Sequence, residues 1–276
     1  MRSSPPSGAN LLGTTRAALA AYRVGLASSL AAWPVLLGRA IFYGVCLTVL
    51  TAFWDKVGAA RLAGTLATRL PPGGLGVYIG VTEWITLSVT PIQLRLEDDI
   101  RSGALEPHLL RPKPYLAQTI ATEAGNMTAR LGMIALGALL ILTVSGRVWP
   151  SPLALAFVGV LGVIGGFIGI LLYCLVGLSA FWLRKVLPPL LIMQKLMFLL
   201  GGLFAPISLY PPALRALAEA SPFAAHLGFA GLQIIAPSAS AFCFALALQA
   251  FWILALSGLI ALAWRAGLKR TLQGVV

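Results

Sequence analysis

Apolar positions along this chain gather into long runs, not into the alternation of a half-buried strand or the three-to-four spacing of a surface helix. Six runs are long enough for membrane spans, since a helix rising about 1.5 Å per residue needs roughly 20 residues to cross hydrocarbon about 30 Å thick. They cover residues 33–54, 75–94, 117–145, 153–182, 187–207 and 240–264. The third is the least uniform; its continuously apolar part is LGMIALGALLILTV. No long polar region separates the runs. The pattern therefore predicts an all-α membrane protein with one six-helix domain over 33–264, preceded by a segment over 1–32 and followed by a basic tail over 265–276.

Two connections break the pattern. Residues 97–114 read EDDIRSGALEPHLLRPKP and hold four of the chain's eight acidic residues. Within 95–114, Leu96, Ile100 and Leu105 recur at near-helical spacing, while Glu97, Asp98, Asp99 and Arg101 fall on other faces. Gly103 can end such a helix, and Pro107, Pro112 and Pro114 prevent a long continuation. A short amphipathic helix offering acids and arginines suits docking to a soluble partner; a capped juxtamembrane loop is the plainer alternative. The second connection, 205–239, is too apolar for a solvated loop yet is broken by five prolines. Irregular apolar backbone at membrane depth must be packed in protein or line a cavity. It is expected to form short re-entrant or interfacial helices closing the outer end of a pathway, the alternative being an ordinary surface loop.

Composition fixes the class. Of 276 residues 59% are hydrophobic and only 10% charged, where a soluble domain carries about 25% charge; mean hydropathy is +0.91. So little polar surface cannot cover a water-facing exterior. The net charge of +12 would suggest nucleic acid in a soluble protein. Beside spans, however, basic residues set topology and meet anionic membrane lipids, so no nucleic-acid partner is expected. With the N-terminus inside, twelve Lys and Arg fall on cytoplasmic segments and five (Lys56, Arg61, Arg69, Arg147 and Arg215) outside, which places both termini in the cytoplasm. Trp33, Trp54, Trp149, Trp182 and Trp264 mark span ends. The N-terminal segment has no acid before Asp55 and carries Arg16 and Arg23. It reads as a retained amphipathic helix at the cytoplasmic surface from about Leu11 to Trp33, not as a cleaved leader, because Arg23 interrupts its apolar part. Cys46, Cys174 and Cys243 sit in apolar runs with no metal-binding or disulfide spacing and read as packing residues.

The stretch EDDIRSGALEPHLLRP resembles the cytoplasmic signature of type-2 ATP-binding-cassette (ABC) exporter permeases, in the branch that includes daunorubicin- and viologen-type exporters. In PISLYPPALRALAEASPF, the residues Pro206, Tyr210, Pro211, Pro222 and Phe223 are similar to that family's outer segment. The likeness extends over essentially the whole chain, although only these two motifs are specific. It implies the permease subunit of an ATP-driven exporter in a bacterial inner (plasma) membrane, in a family whose substrates include drugs. By the same resemblance Glu97, Asp98, Asp99, Ile100, Arg101 and Gly103 would touch a nucleotide-binding ATPase subunit, supported by Leu109, Leu110, Arg111 and Pro112. Two such ATPases and a second permease copy, or a related permease, would complete the assembly. No Gly-Lys pair occurs, so the phosphate-binding loop Gly-x-x-x-x-Gly-Lys-Ser/Thr is absent from the sequence. The chain is thus expected to bind no cofactor and to perform no covalent chemistry, with ATP and Mg²⁺ held by the partner.

Ionisable residues inside spans are costly and are functional candidates by default. Glu83, near the middle of the second run, can meet a cationic or hydrogen-bonding substrate, pair with Lys195 of the fifth, or be buried neutral. Glu123, Asn126 and Arg130 share a helix face and suit a structural inter-helix pair; Arg39 is expected to snorkel. His108 and His226 fall on opposite sides of the membrane and share no site. An ion-driven secondary transporter is the main alternative, but no convincing internal repeat relates residues 1–140 to 141–276. A membrane-embedded enzyme would need a catalytic constellation at one depth, and none is visible.

Overall fold

A computed structural model of the protein describes residues 8–61, 74–105, 107, 114–144, 150–183, 185–203 and 205–272. Ten α-helices are described: α1 (Gly8–Ala31), α2 (Trp33–Arg61), α3 (Gly74–Ser88), α4 (Ile92–Arg101), α5 (Tyr115–Val144), α6 (Pro152–Leu178), α7 (Leu187–Leu200), α8 (Pro212–Ala220), α9 (Phe229–Ile235) and α10 (Ala239–Leu272). Among the described residues there is no strand.

Five stretches are long and apolar enough to cross a membrane: Trp33–Phe53, Gly74–Arg101, Tyr115–Ile141, Pro152–Phe181 and Ala239–Thr271. Their outward faces are greasy. Leu136 and Leu140 on α5 are each 65% exposed and Leu254 on α10 is 75% exposed, a distribution that hydrocarbon tolerates and water does not. The fifth predicted run, 187–207, is α-helical among the described residues only over Leu187–Leu200. Fourteen residues give about 21 Å, short of a full crossing. The helix stops where Gly201 is followed by Gly202 at φ +72°, and Pro206 lies just beyond. At the other end of the chain, Arg265, Lys269 and Arg270 remain helical within α10, so the expected basic tail begins as an extension of the last span.

The helix directions follow from contacts. Tyr43 on α2 donates its hydroxyl to the Gly80 carbonyl of α3 at 2.9 Å, while a Cβ at Gly76 would strike Thr51; α2 and α3 are therefore antiparallel. The start of α5, the end of α6 and the last turns of α10 meet at the α4 end of the bundle. There Tyr115 stacks on Trp264, with ring centroids 5.8 Å apart, and Phe181 meets the same indole edge-on. α6 is the central post. Ser151 caps it by accepting a hydrogen bond from the Ala154 N–H at 3.2 Å, Pro152 opens its first turn, and Leu161, Ile168, Ile170, Leu171 and Leu178 are fully or almost fully buried. It carries no charge along its length.

α1 packs closely along α5. A Cβ at Gly25 would come within 2.0 Å of the Thr122 carbonyl oxygen, and one at Gly125 within 2.1 Å of that of Tyr22. Only glycine permits this backbone approach. Ser29 then donates to Asn126 at 2.9 Å and Tyr22 to Thr128 at 3.1 Å. The remaining face of α1 presents exposed Arg16 and Arg23 beside exposed Leu19 and Val24.

Candidate functional site

The polar segment begins where the second run breaks. α3 ends at Ser88, the chain bends through Val89–Pro91, and α4 begins at Ile92. Pro91 supplies no N–H to continue the α3 ladder. One carbonyl at the bend, that of Val89, accepts from Arg130 of α5 at 3.4 Å. Residues at helical spacing along α4 then divide its surface in two. Ile92, Leu96 and Ile100 are buried, as is Leu105 just beyond the helix. Leu94, Asp98 and Arg101 are exposed, and lie together at i, i+4 and i+7. Gly103 follows in the left-handed region at φ +75°, where a side chain would be strained, and lets the Leu105 N–H fold back onto the Asp99 carbonyl at 3.1 Å.

The buried edge of α4 is attached at three places. Leu96 and Gln93 rest on Gly177 of α6, where a Cβ would lie 2.8 Å from Leu96 Cδ1 and 2.9 Å from Gln93 Cα. Glu97 accepts from the Val186 N–H at 3.3 Å, just before α7, and pairs with Arg101 at 3.5 Å. Asp99 accepts from the Tyr115 hydroxyl at the start of α5. Arg95 lies 3.8 Å from Asp99 and 3.5 Å from Glu123 of α5. Glu123 also accepts from Asn126 at 3.0 Å, and Asn126 accepts from Ser29 of α1 at 2.9 Å. A polar chain thus runs from α4 through α5 to α1.

The expected docking residues consequently separate. Asp98, Arg101 and Gly103 are exposed, Glu97 and Asp99 are half-buried in contacts within the chain, and Ile100 faces the core. Leu109, Leu110, Arg111 and Pro112, like His108, lie outside the described residues. Exposed Leu94 was not anticipated. Its apolar character merged with the preceding run, and only the bend at Pro91 assigns it to the outward face of α4.

At the opposite end, α2, α3, α5, α6 and α9 line a half-open cavity of about 410 Å³, within the size range of small-molecule sites. Tyr43, Thr48, Thr51 and Trp84 line it, yet their polar atoms are engaged with backbone. Trp84 Nε1 donates to the Leu131 carbonyl at 2.9 Å, Thr48 to that of Gly44 at 2.8 Å, and Thr51 to that of Thr48 at 3.1 Å. What remains facing the cavity is mainly hydrocarbon and aromatic surface. Glu83 is not among its lining residues and forms no ion pair among the described residues. Lys195 is exposed on α7, and no ion pair joins the two.

Residues 205–239 fold as short helical pieces: a turn at Ile207–Leu209, α8, a π-helical turn at Ala224–Gly228, and α9. Pro206 is buried, Tyr210, Pro222 and Phe223 are half-buried and Pro211 is exposed. The later half sits deep in the bundle. His226 is fully buried with Nδ1 donating to the Gly165 carbonyl at 2.7 Å, and Gln249 of α10 donates to the carbonyls of Leu161 at 3.0 Å and Ala225 at 2.9 Å. α9 packs between α3 and α6. Among the described residues no group of His, Cys, Asp and Glu has metal-binding geometry.

The sequence profile of one family, described as ABC-2 family transporter protein, matches residues 75–272. That span runs from the start of α3 to the end of α10. No curated protein matches the sequence. A family match over most of the chain, on a multi-pass helical bundle with a polar helix set across the end of its second span, identifies this protein as a member of the ABC-2 transporter family and its helices as those of a permease subunit.

Proposed function

We propose that the chain is half of an ATP-driven export pathway in a bacterial inner membrane, worked by a separate ATPase that grips α4. The observation that carries this reading is the division of α4. Its apolar edge is fixed to α5, α6 and the start of α7, and its other edge presents Leu94, Asp98 and Arg101 to the surroundings. A helix held at several points cannot move without carrying its supports. Closure of a paired ATPase around ATP and Mg²⁺ would displace α4, and the bundle would follow as packed elements that exchange one arrangement for another. Asp98 and Arg101 give the partner charge complementarity and Leu94 an apolar anchor. Both chain termini would lie in the cytoplasm with α4, in agreement with the excess of Lys and Arg there.

The cavity opposite α4 is the proposed substrate path. Mainly apolar walls with their hydrogen-bonding groups already engaged favour an apolar or amphiphilic small molecule, the class handled in multidrug efflux. The pieces over 205–239, with Pro206, Tyr210, Pro211, Pro222 and Phe223, would close the outer side. Two permease chains and two ATPases would form the working assembly. The test is transport of a lipophilic dye by the permease–ATPase complex in liposomes. Transport should require ATP and persist when proton and sodium gradients are abolished; gradient-driven transport by the permease alone would overturn the proposal.

A further inference from the structure

Arg39 has no part in the transport reading. It lies six residues after Trp33 on α2, about 9 Å along the helix from the α4 end. Among the described residues it makes no hydrogen bond or ion pair. Beside it a groove of about 390 Å³ opens between α2 and α3, walled by Val35, Gly38, Phe42 and Leu87. Val35 and Phe42 are 60% and 58% exposed, and a Cβ at Gly38 would meet nothing within 4 Å. The groove is apolar and opens outward.

Arg130 of α5 does not line the groove and donates to the Val89 carbonyl at 3.4 Å. Glu123 of α5 is bonded to Arg95 and Asn126. Glu83 of α3 forms no ion pair with either arginine and does not line the groove. One guanidinium, that of Arg39, thus stands at an apolar groove with no carboxylate bonded to it among the described residues. A guanidinium in that setting is costly unless an anion joins it, and its planar fork matches a phosphate.

We propose that this groove holds an anionic phospholipid of the leaflet on the α4 side, its phosphate on Arg39 and an acyl chain along Val35, Phe42 and Leu87. Charge complementarity selects the headgroup, and the hydrocarbon walls select a lipid over a free phosphate ion. The site is independent of how transport is driven.

Native mass spectrometry of the purified transporter complex, titrated with phosphatidylglycerol and with phosphatidylcholine, tests this. Phosphatidylglycerol should bind at least about fivefold more tightly, the factor that one arginine–lipid attraction supplies. Arg39→Gln should abolish that preference and Arg39→Lys should keep part of it. Lys269→Gln, an exposed basic residue at the same end of the bundle, should leave it intact. In the wild-type complex, phosphatidylglycerol with a photoreactive acyl chain should label residues 35–42 and Leu87, a readout that does not depend on how any variant folds. Equal binding of the two lipids, an equal loss in Lys269→Gln, displacement by glycerol phosphate, or cross-links joining this face to a second copy of the chain would each overturn the proposal.

Discussion

Single side chains decide how firmly α4 is held. At Gly177 the α4 backbone approaches α6 so closely that valine would force the two apart by several tenths of an ångström or more. Gly177→Val should cost about 1–3 kcal/mol, as overpacked sites do. The change should also reduce ATP-driven transport in liposomes more than it reduces the amount of folded protein, because the seat of α4 is displaced first. Tyr115→Phe removes the hydroxyl that donates to Asp99 while leaving the stack on Trp264. A hydrogen bond to a charged group is worth about 1.5–3 kcal/mol when well shielded. This pair is only part-buried, so a loss of about 1 kcal/mol is expected, read as a lowered unfolding midpoint in detergent.

Between elements, the closest crossing is that of α1 with α5. Gly125→Val would drive a side chain into the Tyr22 carbonyl and should lift α1 from the bundle, breaking the Ser29–Asn126 and Tyr22–Thr128 bonds. The expected readout is new protease sensitivity within 8–31, with the α2–α10 fragment remaining intact. The hydrophobic runs anticipated most of these elements because lipid imposes length and apolarity on each span directly. α7 fell short because Gly201 and Gly202, the latter at φ +72°, end the helix while leaving the run apolar. The crossing of α1 and α5 was not legible, since glycines at 25 and 125 carry no local sign that they face each other. The candidate site was legible to the same degree. The spacing of Leu96, Ile100 and Leu105 marked a buried edge, but the fate of each acid depended on distant partners. Glu97 is bound by Val186, 89 positions away, and Asp99 by Tyr115, 16 away.

For the whole molecule, the claim is that force enters at one exposed strip of α4 and leaves through the bundle. The strip is separable from the fold, since Asp98 is exposed and no ion pair involving it occurs among the described residues. Substitution there should change stability by no more than about 0.5 kcal/mol. The most direct measurement is the amount of ATPase subunit that copurifies per permease chain when Asp98 is changed to Arg. The account predicts a folded variant with a wild-type unfolding midpoint that has lost its ATPase; a folded variant carrying the wild-type amount of ATPase would contradict it.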